Sequence, residues 1–209
     1  FGNVSHQAGL SKYSDVMPTA GEQVWDDVDA VDNGVVDLGA DNTLGYEVSM
    51  SGITASASYA RTGLGTDNSI VLIADELVDG ASFGVGTGTN VISNTSEDDM
   101  TTIWAKYSTG PVTVGVQLSE IDKTAANSDL DREHAAISFA VNESLSVSYG
   151  VSNVEYEDAT KTDEESSGFS ASYTMGSMTL GAVANKTDSI SGTSGTDYTF
   201  TEVSLAFAF

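Results

Sequence analysis

Large apolar residues occupy every second position in segment after segment of this chain, and Ser, Thr, Gly and Ala fill most of the positions between them. Residues 144–152 show the pattern: Leu145, Val147, Tyr149 and Val151 alternate with Ser146, Ser148, Gly150 and Ser152. A period of two is the signature of a strand with one greasy and one small or polar face. It recurs over 43–50 (Leu44, Tyr46, Val48, Met50), 52–60, 111–119 (Val112, Val114, Val116, Leu118), 133–141 (Ala135, Ile137, Phe139, Val141), 167–175 and 177–185. The last stretch, 201–209, places Val203, Leu205, Phe207 and Phe209 on one parity. Less regular strands are read near 69–75, 80–86 and 100–108, which makes eleven after residue 42.

The connections between these strands alternate in length. Ser51-Gly52, Asp79-Gly80, Thr109-Gly110-Pro111, Asn142-Glu143-Ser144 and Gly176-Ser177 are tight turns by composition. Long polar stretches at 62–68, 87–99, 120–132, 154–166 and 187–197 lie between them. In a soluble sandwich, the outward parity carries Lys, Glu and Arg. Here the polar parity is hydroxyl-rich and the charges collect in the loops. That arrangement suits a transmembrane antiparallel β-barrel, with the apolar parity in lipid and the polar parity lining a hydrated interior. Tyr46, Tyr59, Tyr107, Tyr173, Phe207 and Phe209 sit near strand ends, where interfacial girdles form. The alternative is a surface-exposed β-barrel or β-sandwich, an adhesin or binding module whose acidic loops bind Ca²⁺ or a partner.

Composition narrows the function classes. Thirty-one acidic residues against 7 basic ones give a formal charge of −24, which argues against a nucleic-acid partner. No Cys is present to form disulfides or ligate metals. The longest apolar run, Ile70 to Ala74, falls far short of the ~20 residues a spanning helix needs.

With these features, the chain resembles the trimeric general-diffusion porins of Gram-negative bacteria, particularly the alphaproteobacterial type. Phe1-Gly2-Asn3-Val4 looks like the end of the strand before the inward-folded constriction loop, and residues 5–42 look like that loop. Asn42-Thr43-Leu44-Gly45-Tyr46-Glu47-Val48, followed by Ser51 to Tyr59, looks like the hairpin after it. Leu205-Ala206-Phe207-Ala208-Phe209 resembles the C-terminal strand, which makes Phe209 the assembly signal. The resemblance implies one β-barrel domain over 1–209, with eleven strands in 43–209 and the N-terminal strands missing, so that the full protein has about sixteen. It further implies a homotrimer in the outer membrane, in contact with lipid bilayer and lipopolysaccharide. The implied function is a water-filled channel for passive diffusion of small hydrophilic solutes and ions.

The candidate site follows from charge. Residues 21–41 hold Glu22, Asp26, Asp27, Asp29, Asp32, Asp37 and Asp41 with no Lys or Arg. Folded into the lumen, these carboxylates narrow the pore and favour cations. The same oxygen density suits Ca²⁺ or Mg²⁺, with Asp27, Asp29 and Asp32 as the candidate ligands, although the EF-hand pattern fails at Val31 and Leu38. Acids in the long loops are further candidates for divalent ions that bridge them to lipopolysaccharide. Glu47 and Lys106 fall on the polar parity, and Arg61 follows Tyr59-Ala60 at the rim; all three are expected to face the lumen. His134 shares that parity with Ser138, but nothing marks a nucleophile, base and orienting acid as a set, and no enzyme is expected. No other cofactor is implied.

Overall fold

The computed structural model describes residues 8–25 and 43–208. Eleven antiparallel strands form one sheet in strict chain order, each hydrogen-bonded to its sequence neighbours. They are β1 (Thr43–Met50), β2 (Ile53–Arg61), β3 (Thr66–Val78), β4 (Ala81–Ser93), β5 (Ser96–Thr109), β6 (Val112–Lys123), β7 (Leu130–Ala140), β8 (Leu145–Tyr156), β9 (Glu164–Met175), β10 (Met178–Asp188) and β11 (Tyr198–Phe207). Tight turns at one rim have the backbone their residues allow. Ser51 and Gly52 both take positive φ, 55° and 78°, the requirement of a two-residue hairpin whose twist matches its strands.

The strands reach further toward the opposite rim than the apolar alternation does. Residues 87–99, expected as a loop, are mostly β4 and β5 joined across Asn94-Thr95. The expected loop 120–132 shrinks to 124–129, and 154–166 to 157–163. The ladder continues because backbone pairing does not depend on which side chains it carries. Only the outward residues change, from Leu118, Ala135 and Val151 to Glu120, Asp122, Asp131, Glu133, Glu155 and Glu165.

The two faces are divided as the alternation requires. Val114 is 41% exposed, Ile137 44%, Val147 37% and Leu205 53%, all on the outer face. Tyr46, Tyr59, Tyr107, Tyr173 and Phe207 are exposed on that side as well. Buried side chains lie on the other face, where residues 8–25 fold inward and pack against the sheet. Leu10 anchors one cluster with Val71, Ile73, Met100, Trp104, Ile121 and Leu130. Met17, Val24 and Trp25 form a second with Val183. Glycines seat the large side chains: a Cβ on Gly84 would stand 2.0 Å from the Trp104 ring, and one on Gly86 2.6 Å from Leu10.

Two outcomes follow from this division. Val147→Arg should destabilise the protein by about 2–4 kcal/mol in lipid vesicles, measured by urea unfolding, since it puts a charge near mid-belt. Gly84→Ala should cost about 1–3 kcal/mol by overpacking against Trp104, measured by thermal unfolding in detergent.

Candidate functional site: a segment pinned across the polar face

A chain without strand or long helix must still satisfy its backbone groups when it lies on a sheet. Residues 8–25 do so by borrowing side chains from the inner face, in sequence along the strands. Gly9 N–H donates to Ser56 Oγ at 2.9 Å, and Leu10 N–H to Ser69 Oγ at 2.8 Å. A 3-10 turn, Leu10–Tyr13, then brings Tyr13 to stack on Trp104, with ring centroids 5.6 Å apart. Gln117 of β6 clamps the next residues: its Oε1 accepts from Val16 N–H at 3.2 Å, and its Nε2 donates to Ser14 O at 2.8 Å. Ala20 N–H donates to Ser148 Oγ of β8 at 3.0 Å, and Asn185 Nδ2 of β10 donates to Val24 O. Trp25 closes the crossing by packing on His134, at a centroid distance of 4.7 Å, over Gly150. The segment therefore spans the polar face from β2 to β10.

Charged groups fix its two halves. Lys12 Nζ donates to both carboxylate oxygens of Glu47 at 2.8 and 2.7 Å, and Tyr13 Oη donates to Glu47 Oε2 at 3.2 Å. The Glu47 carboxylate holds the Lys12 ammonium above its ordinary range. Both side chains are about one-third exposed, so the pair is a positional tie of about 1 kcal/mol or less. Asp15 is the internal hub. Its Oδ2 accepts from Trp25 Nε1 at 2.7 Å, and its Oδ1 accepts from Met17 N–H at 3.0 Å and Gln23 Nε2 at 3.3 Å. Burial pushes its carboxyl above the ordinary aspartate range, opposed by the hydrogen bonds from Met17 and Trp25 and by the charge of Lys106.

The sequence-predicted residues fall out unevenly. Glu47 and Lys106 face the inner side, Glu47 bound to the segment and Lys106 lining a cavity of about 460 Å³ with Val16, Met17, Pro18 and Thr19. Arg61 does not face inward. It lies on the outward parity of Ile53 and Tyr59 at the tip of β2 and is exposed, because Ala60, one residue earlier, takes the inward position. Glu22 is exposed on the segment and lines a second cavity with β9, β10 and β11. Asp26, Asp27, Asp29, Asp32, Asp37 and Phe209, like the 1–4 strand end, lie outside the described residues. Among the described residues, no three His, Cys, Asp or Glu side chains converge as a metal site. His134 is 2% exposed beneath Trp25 and has no open approach for a substrate.

Sequence reasoning missed Lys12, Asp15, Gln117 and Asn185. The one available signal was that Gln117 and Asn185 are carboxamides on the hydroxyl parity, where a backbone needing partners would look for them. For Asp15, the folded-state pKa lies above the unfolded one. Its contribution to stability is therefore full below the unfolded value and declines as pH rises through the folded value. In a Trp104→Phe variant, where Trp25 is the one tryptophan left in this sequence, its emission should titrate with a midpoint above the ordinary aspartate range. Asp15→Asn should abolish that transition.

Solved structures of similar fold are outer-membrane barrels. A loop L8 deletion mutant of OmpT, an outer membrane protein of Vibrio cholerae, matches with a TM-score of 0.62 at 15% identity, over 96% of this chain and 73% of that one. The outer-membrane expressed OmpT of Vibrio cholerae matches with a TM-score of 0.56 at 14% identity, over 71% of this chain. The match spans about half of that OmpT, 54% of its length. The NanC porin in a rhombohedral crystal form matches with a TM-score of 0.52 at 11% identity, over 80% of this chain and 92% of that one. No protein-family model and no curated protein matches the chain. The fold is that of an outer-membrane antiparallel β-barrel.

Proposed function

We propose that the chain is part of an outer-membrane channel of a Gram-negative bacterium, through which small hydrophilic solutes and ions diffuse passively. One observation carries this reading. A sheet whose exposed outer face is apolar holds, on its polar face, a chain segment pinned crosswise from β2 to β10. Such a segment reduces the cross-section of an aqueous interior without plugging it with a domain, and the fold likeness to a porin supports the same reading.

Closure belongs to the proposal. Among the described residues β1 and β11 each have a single hydrogen-bonded neighbour, and an open edge in hydrocarbon leaves a row of backbone groups unsatisfied. Further strands between these edges close a barrel of about sixteen strands, wide enough for an aqueous lumen. Beyond the apolar belt, Glu120, Asp131 and Glu155 lie in register across β6, β7 and β8. Like charges so placed repel. Divalent cations shared with lipopolysaccharide phosphates would relieve that repulsion at the outer leaflet.

Selectivity follows from the excess of acids, −24 over the chain, and from acids carried into the interior on the segment and β11. In planar bilayers under a KCl gradient, the full protein should give ohmic steps with a reversal potential of cation-selective sign. Glu22→Lys should move the K⁺/Cl⁻ permeability ratio toward anions by about 2–5-fold, as a charge change at a constriction does. A protein that inserts and gives no steps would sink the channel reading.

A further inference from the structure

A cavity of about 420 Å³ separates the end of the crossing segment from the last three strands. Glu22 and Gln23 stand on the segment side, facing Ser170 of β9, Thr179 of β10, and Glu202 and Ser204 of β11. It is distinct from the cavity beside Lys106, and among the described residues no Lys or Arg lines it. Two carboxylates, Glu22 and Glu202, thus line one small volume.

Ser170 supplies an independent indication of a guest. The residue is 3% exposed, yet its Oγ has no hydrogen-bond partner among the described residues. A buried hydroxyl without a partner is costly, and such groups are completed by an ordered water or by a bound polar group. Gly21 crosses close beside the hydroxyl, where a Cβ would stand 3.2 Å from Ser170 Oγ.

We propose that this cavity is a subsite for a small organic cation bearing a guanidinium or primary ammonium group. Glu22 and Glu202 hold the charge from opposite sides, and Ser170 Oγ accepts a hydrogen bond from the cationic N–H. Carboxylates paired with N–H donors make the strong, directional hydrogen bonds such a site needs. A bare divalent ion fits less well. It takes six to eight oxygen ligands, and no group of three acidic or histidine side chains converges among the described residues. The volume lies in the range of small-solute pockets. The subsite rests on the channel reading for its access, since the solute reaches it from the lumen.

Agmatine is a suitable probe, tested on the full protein in two ways: calorimetric binding in detergent, and agmatine-induced block of the current in planar bilayers. Glu202→Gln and Ser170→Ala should each weaken agmatine about 5-fold, the loss of one ionic or one hydrogen-bonded contact. Glu97→Gln, which removes a carboxylate at the far rim, should leave agmatine binding as in the parent. Equal weakening by Glu97→Gln, with no effect of Ser170→Ala, would reduce the attraction to diffuse charge and overturn the subsite. Absence of agmatine binding, or Mg²⁺ binding lost in Glu202→Gln while agmatine has no effect, would overturn it too. A protein that binds agmatine in detergent but conducts nothing keeps the subsite and refutes the channel. One that conducts but ignores agmatine refutes the subsite alone.

Discussion

A strand surrounded by hydrocarbon finds partners for its N–H and C=O groups only in other strands. That constraint organises the whole molecule. It demands an unbroken ladder, which the chain supplies by pairing every strand with its sequence neighbours. It also demands apolar side chains on the lipid side, which consume one parity of each strand. The other parity is then released from core-making, and this chain fills it with hydroxyls and carboxamides. These are the groups that a crossing segment with no secondary structure of its own requires. Ser56, Ser69, Gln117, Ser148 and Asn185 thus serve the segment's backbone as the strands serve one another.

The strands were legible because lipid enforces the alternation strictly where it applies. Their upper ends were not, because the pattern stops at the edge of the hydrocarbon while the hydrogen bonding continues. Asp131 pairs with Glu120 and Glu155 in a regular ladder whose outward residues are acids. The weak strand near 69–75 has its own reason. Ile70 and Leu72 face outward, but Val71 and Ile73 are apolar too, since Leu10 settles on them from inside. Two apolar faces erase the period and leave an uninterrupted greasy run. The irregularity was therefore a trace of the segment, written in the strand that receives it.

The inner site was half legible. Parity alone places Glu47 and Lys106 inward, and parity also sends Arg61 outward once β2 is registered through Ala60. What parity cannot supply is the pairing of residues far apart in the chain. Lys12 meets Glu47 across 35 positions, and Val16 meets Gln117 across 101. Asp15 carries no sequence signal, since its role as hub depends on Trp25, Gln23 and the Met17 N–H converging only after the segment has bent.

The contact between Asn185 and Val24 joins positions 161 apart, and it lies at the end of a segment that precedes every described strand. The crossing cannot be fastened until β10 is in place, although its own residues are among the earliest in the described chain. Such non-local closure is slow relative to neighbouring hairpins. The crossing is therefore completed only once the hairpins from β2 to β10 offer their inner face, as a keystone waits for its arch.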